Sequence, residues 1–271
     1  MHFDLIQSLS IAGKAAVPND DRIGCGDQHA WVIDGATDLG PPGLMGEQGG
    51  AAWLAATAHK AFSAASGPIA EICVSVFETV AASYERDRRR DPVARWEVPR
   101  AAFAAVAIED ASVACAYISD CVVLHRGAAG VAFLTPVPDR GVELAEAAAL
   151  GPGAGAGGVR SAAVLADRRA SRERAKVALG IDAGLIEAHT QYARTGLAAG
   201  DDLFLLSDGY AALFDTYGRY DAASFVARVL DTGLVPLAAE LRQIELEDAA
   251  CLRYPRFKPS DDASALWIRV G

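Results

Sequence analysis

Nowhere in this chain do 18 apolar residues run together, so no segment is expected to cross a membrane as a helix. The N-terminal Met1-His2-Phe3-Asp4 is not a basic stretch leading into an apolar one, and no secretion signal is expected. Cysteine is scarce. The five thiols, Cys25, Cys73, Cys115, Cys121 and Cys251, are odd in number and never spaced C-x-x-C, which argues against a disulfide framework and against a zinc site. A reducing cytoplasm fits that usage. Positive charge is short as well: 25 Lys and Arg stand against 35 Asp and Glu, and a formal net charge of -10 argues against nucleic acid or an anionic membrane as electrostatic partners. Also missing are the G-x-S-x-G elbow, the G-x-x-x-x-G-K-[ST] loop and the H-E-x-x-H helix, which removes three large catalytic classes. No Pro-rich, Ser-rich or charge-run linker interrupts the 271 residues, and one domain over 1–271 is expected.

What is present is a pattern of short apolar runs and paired helices. Strands are expected over Phe3 to Ile11, His29 to Ile33, Ala101 to Ile108, Ser112 to Ile118, Cys121 to His125, Val131 to Leu134, Leu203 to Leu206 and Ala265 to Val270. The four central runs read as an antiparallel meander. Helices are expected from about Glu47 to Phe62, with Ala51, Leu54, Ala55, Ala58 and Phe62 on one face, and then on a stripe of Ile69, Ile72, Val76, Phe77, Val80 and Tyr84. Further helices are read over Arg168 to Leu179, Ala222 to Leu230 and Val235 to Glu247. The glycine-rich stretch Gly151 to Gly158 reads as a mobile surface loop, since each glycine gives up much backbone entropy on ordering. The basic run Arg86 to Arg100 reads as a helix C-terminus continuing into a solvated loop, with partner binding as the alternative. Grouped helices and strands, without β-α-β alternation, favour an antiparallel or mixed sheet core with helices outside it.

Three of these strands carry an aspartate at an end: Asp34-Gly35, Ser207-Asp208-Gly209 and Ser260-Asp261-Asp262. Asp-Gly taken singly is an ordinary turn dipeptide. Its recurrence beside buried strands is what carries weight, because rigid strand ends can hold carboxylates on one side of a core. Clustered carboxylates repel one another, and hard divalent ions such as magnesium or manganese, which prefer oxygen ligands, relieve that repulsion.

The order Asn19-Asp20-Asp21, Trp31-Val32-Ile33-Asp34-Gly35, Ile118-Ser119-Asp120, Leu205-Leu206-Ser207-Asp208-Gly209 and Asp261-Asp262-Ala263-Ser264 resembles the type 2C metal-dependent serine/threonine protein phosphatases over nearly the whole chain. The resemblance implies an α+β fold, a four-layer α-β-β-α sandwich of two mainly antiparallel sheets flanked by helices, with a variable flap at about 151–195. It implies hydrolysis of phosphoserine and phosphothreonine in proteins by a metal-activated water at a binuclear Mg2+ or Mn2+ centre. Asp34 would bridge two ions, the Gly35 carbonyl would ligate one, and Asp208 and Asp261 would complete the other. Asp21 would hold metal-bound water, and Asp120 with Asp208 would support a third ion, as in bacterial members. Arg22 is the candidate for gripping the phosphate in a guanidinium fork, against an ordinary surface ion pair. His29, His59 and His125 read as structural, and no catalytic histidine is assigned. The partner is then a phosphorylated protein, and a cytoplasmic monomer is expected. A phosphatase-like module that binds without turnover and a phosphatase of small metabolites remain the alternatives. Departures from the family pattern are Ala36-Thr37-Asp38 after the bridging Asp-Gly, Ser119-Asp120-Cys121 for Gly-Asp-Ser, Asp262 for asparagine, and no Gly-Thr-Thr at the strand from Ala101.

Overall fold

The last strand, Ala263–Val270, is apolar on both faces because both faces are covered. The computed structural model describes residues 1–14, 17–174 and 177–271. Its chain runs β1 (Phe3–Ile11), β2 (Arg22–Cys25), β3 (His29–Gly35), α1 (Gly50–Ala64), α2 (Ile69–Asp87), β4 (Ala101–Glu109), β5 (Ser112–Ile118), β6 (Val122–Gly127) and β7 (Gly130–Phe133). There follow α3 (Gly141–Ala149), α4 (Ala162–Glu173), α5 (Ala183–His189), β8 (Gln191–Gly196), β9 (Asp202–Leu206), α6 (Asp208–Ala211), α7 (Ala222–Thr232), α8 (Leu234–Glu247) and β10 (Ala263–Val270). One sheet has the order β1-β10-β9-β6-β7, the other β2-β3-β4-β5-β8, with antiparallel pairing in both.

Side-chain alternation along each strand builds four layers. On β3, Ala30 and Val32 face the other sheet, while Trp31 and Ile33 face α1 and α2. On β10, Leu266, Ile268 and Val270 turn inward, and Ala263, Ala265 and Trp267 lie under α7 and α8. The expected stripes of α1 and α2 are buried. Each such large side chain stabilises by about 1.5–3 kcal/mol when fully buried, so packing rather than propensity holds these helices in place. The α-β-β-α sandwich is the observed architecture. All five cysteines are free thiols, and among the described residues no single helix is long and apolar enough to cross a membrane.

Three local readings need correction. The central runs are not one meander: β4 and β5 pair in one sheet, β6 and β7 in the other, and the chain crosses between them at Ser119-Asp120-Cys121, where Ser119 takes a left-handed φ of 69°. Alternation shows that a strand has two faces but not which sheet it joins. The helix read over Arg168 to Leu179 lies earlier, at α4; residues 175 and 176 are outside the described part, and Leu179 exchanges backbone hydrogen bonds of 2.9 and 2.8 Å with Ala101. The segment 151–195 thus carries α4, α5 and most of β8. Finally, the glycine-rich stretch is packed: Ala154–Gly157 forms a 3-10 turn, Gly155 is buried, and a Cβ there would come within 1.8 Å of the Arg256 carbonyl oxygen. Gly155→Ala is therefore expected to cost about 1–3 kcal/mol, as overpacking does, and to lower the urea midpoint. An unchanged midpoint would show that the stretch is free of that carbonyl.

Candidate metal centre

The sandwich gathers carboxylates from distant parts of the chain at one end of its two sheets. β9 and β10 are neighbours, with Leu206 opposite Ala265, and beyond that pair the Ser207 amide donates to the Ser264 carbonyl at 2.9 Å and the Ser264 amide to Ser207 Oγ at 2.9 Å. This double clasp sets Asp208, just after β9, beside Asp261, just before β10. The approach is so close that a Cβ on Gly209 would lie 2.0 Å from the Asp262 carbonyl oxygen, which is why glycine follows Asp208. From the other sheet Asp34, on the penultimate residue of β3, accepts a hydrogen bond of 3.2 Å from the Asp208 amide on Oδ2. Gly35 packs against the turn that precedes β2; a Cβ there would sit 2.6 Å from the Asp20 carbonyl oxygen. Asp21 closes that turn, only 2% exposed, with its amide donating to Asn19 Oδ1 at 2.8 Å. Asp120 stands on the sheet-to-sheet crossing, its own side chain exposed at the rim and bonded to Ser119 Oγ at 3.1 Å.

Two departures from the family pattern find their physical reason here. Asp262 accepts from the Gly13 amide at 2.8 Å and the Asp20 amide at 2.6 Å, tying the turn that carries Asp21 to the segment that carries Asp261. Asp38 accepts from the amides of Gly50 at 2.6 Å and Ala51 at 3.1 Å, satisfying free donors at the start of α1.

The electrostatics are those of an under-neutralised acidic cluster. Burial first, then the charges of Asp208, Asp21 and Asp261, push Asp34 well above the ordinary carboxylate range. Asp21 is pushed up to about 8 by burial and then by Asp261, and Asp20 to about 7 by burial and then by Asp262. Burial raises Asp261 too, and the nearby Lys258 ammonium offsets this only in part. Asp208 is the exception: burial acts upward, but the Arg140 guanidinium, hydrogen bonding with Asp34 and the Lys258 charge together outweigh it and hold Asp208 below the usual range. Arg140 Nη2 lies 3.1 Å from Asp208 Oδ2 and 2.6 Å from Glu143 Oε2. Lys258 pairs with Asp261 and donates to Thr37 Oγ1 at 3.1 Å.

Whether this donor set suits a cation is answered by its orphaned atoms. Among the described residues, both carboxylate oxygens of Asp21 and Oδ1 of Asp208 are buried without a hydrogen-bond partner, an unfavourable state unless a ligand meets them. The oxygens at hand are hard donors, the kind magnesium and manganese take. As they stand, among the described residues no three His, Cys, Asp or Glu side chains converge tightly enough to hold one ion. Arg140 and Lys258 supply the countercharge instead. Neither was singled out in the sequence, although Lys258, three residues before Asp261, was open to notice.

Asp34, Gly35, Asp120, Asp208 and Asp261 line one cleft of about 270 Å3, with Asp21 buried just beneath. Arg22 is not brought into it. Paired across β2 and β3 with Ile33, it lies on the helix-covered face of the sheet, and its Nη1 donates to the carbonyls of Asn19 at 2.7 Å and Asp21 at 2.6 Å. The histidines also lie elsewhere: His29 Nε2 contacts the Phe62 carbonyl at 2.8 Å, His59 receives the Trp31 indole N–H at 3.1 Å, and His125 pairs with Asp201 at 2.9 Å.

No family model matches the sequence, and no curated protein does either. Solved structures do. The Mycobacterium tuberculosis serine/threonine phosphatase PstP is 14% identical with a TM-score of 0.60, aligned over 100% of this chain and 99% of its own. PppA of Pseudomonas aeruginosa, described as a regulatory component of the type VI secretion system, is 13% identical with a TM-score of 0.57 over 100% and 99%. The PPM Ser-Thr phosphatase MsPP of Mycobacterium smegmatis, solved with cacodylate, is 18% identical with a TM-score of 0.55 over 98% and 99%. At such identities the likeness concerns architecture, and over its length this chain has the fold of the PPM-type serine/threonine phosphatases, the type 2C family that its motifs resemble.

Proposed function

We propose that the chain is a metal-dependent phosphomonoester hydrolase acting on phosphoserine and phosphothreonine in proteins. The observation that carries this reading is the set of buried, partnerless oxygens on Asp21 and Asp208 beside the up-shifted Asp34 and Asp261. Asp34, Asp208, Asp261, the Gly35 carbonyl and Asp21 would hold two Mg2+ or Mn2+ ions, with Asp120 and Asp208 serving a third. Such ions neutralise phosphate charge and make water a competent nucleophile near neutral pH. The likeness to PstP, one structure of which is described with two manganese ions, supports that choice of ions.

The chain's own residues do the rest. Asp34 and Asp208, joined through the Asp208 amide, fix the spacing of the two sheets at the floor. Arg140, half-buried in the same cleft and carrying a planar guanidinium fork, is better placed than Arg22 to take phosphate oxygens. No histidine lines the cleft, and no histidine is assigned as the acid for the leaving alkoxide.

A second reading has one observation in its favour. Lys258 and Arg140 already stand among the carboxylates as fixed countercharges, as they would in a phosphatase-like module that binds phosphopeptide without turnover. Hydrolysis of p-nitrophenyl phosphate by the purified chain with Mn2+, with Mg2+ and with chelator separates the two. Turnover that needs the ion is expected; a folded chain inert under all three conditions would transfer the proposal to the binding module.

A further inference from the structure

Much of the basic run that begins at the end of α2 is already paired with carboxylates. Arg86 pairs with Asp87, Arg88 with Glu85 and Asp91, and Arg90 with Glu97. Arg100 does not join them. It turns into the cleft, where its Nη2 donates to the Arg172 carbonyl at 2.9 Å. Arg172, on α4, lines the same cleft and donates to the carbonyls of Thr37 at 2.8 Å and Trp96 at 3.4 Å.

Among the described residues neither guanidinium has a carboxylate within ion-pairing distance. The acids whose fields reach them are engaged elsewhere: Glu173 accepts from the Trp96 amide, and Asp38 from the start of α1. Burial, then the charge of Arg100, pushes Arg172 down to about 10, which marks a cation short of negative charge. Their neighbour Arg168 is the contrast, since Glu146 and Asp167 satisfy it and its guanidinium lies over the Phe257 ring. A guanidinium carries five N–H donors; among the described residues Arg100 uses one of them and Arg172 two. Among the described residues, the cleft is therefore lined by the acidic cluster and by two arginines with donors to spare.

We propose that Arg100 and Arg172 form a second anion subsite, which takes a phosphate or carboxylate on the same peptide whose phosphoserine or phosphothreonine lies over the acidic cluster. The proposal rests on the hydrolase reading for the identity of the first group and on the two arginines for the second. It makes the chain selective for multiply phosphorylated or acidic segments, in spite of a net charge of -10 that repels them at long range.

The test uses three labelled peptides of one sequence: phosphoserine alone, phosphoserine with a second phosphoserine nearby, and phosphoserine with glutamate at that second place. Binding is read by fluorescence anisotropy and turnover by phosphate release, both with Mn2+. The doubly phosphorylated peptide is expected to bind on the order of tenfold tighter than the single one, as charge-assisted forks do. In Arg172→Gln and Arg100→Gln the difference should collapse toward unity. The glutamate peptide assigns the source: behaviour like the double phosphate means any anion is accepted, behaviour like the single one means phosphate is required. Equal binding of the single and double phosphopeptides by the unmodified chain would overturn the subsite, as would a preference that survives both variants. Selective binding with no phosphate release would instead sink the hydrolase reading and leave the subsite standing.

Discussion

In Asp34→Asn, ion-dependent phosphate release is expected to fall by at least about 10²-fold, the scale on which removing one preorganised charge-stabilising group acts, while the variant melts higher than the parent in chelator. The two effects share one cause. Asp34 faces Asp208, Asp21 and Asp261, and without a divalent ion its negative charge is a liability. Asparagine keeps the shape and the oxygen that accepts from the Asp208 amide, and removes the repulsion. Function and stability pull apart at such positions because the site is built for a charge the bare protein lacks. Rates with Mn2+ and melting curves in chelator are the paired measurements. A variant that keeps its activity would remove Asp34 from the centre; one that is inactive and also melts lower would show that hydrogen bonding, not repulsion, governs the residue.

The stability of the ion-free chain is expected to fall between pH 6 and pH 8, and added Mn2+ or Mg2+ to restore it more at pH 8. Asp20 and Asp21 have folded pKa values raised to about 7 and about 8 from an unfolded value of 3.8. Through that window the folded chain therefore holds protons that the unfolded chain has already released. Stability then decreases with rising pH, the reverse of the usual salt-bridged carboxylate, and the loss is complete only above the folded values. An ion prefers the deprotonated site, so its contribution grows as those protons leave. At 100 times the dissociation constant, linkage gives about 2.7 kcal/mol, or roughly 5–10 °C in a domain of this size. Thermal melts in chelator and in excess ion, at both pH values, decide it. An equal gain at pH 6 and pH 8 would refute the coupling of these carboxylates to the ion.

The sequence was most informative where a pattern is local. The aspartates at strand ends are local, and so are the stripes of α1 and α2; both appear in the structure where they were read. Less legible were β2 and β8: the first has four residues, and the second, Gln191–Gly196, presents no continuous apolar face. The glycine-rich stretch misled because composition reports what order costs and not what it gains, and Gly155 fits where nothing larger can, against the Arg256 carbonyl. Arg140 and the inward turn of Arg100 were hidden for another reason. Their partners in the cleft, Asp208 and the Arg172 carbonyl, lie far along the chain, and no periodicity encodes which distant carboxylate or carbonyl a cation will meet.

The placement of β10 between β1 and β9 has a consequence for how the protein comes into being. A chain still on the ribosome, with Asp21, Asp34 and Asp208 already made, lacks the strand that joins the two halves of its first sheet. It also lacks Asp262, whose carboxylate pins the turn bearing Asp21. Pairings of such long sequence separation form late. The acidic cluster, which includes Asp261, is thus complete only once synthesis has passed that residue, and its full mutual repulsion arises only when the strand that closes the first sheet is about to be made.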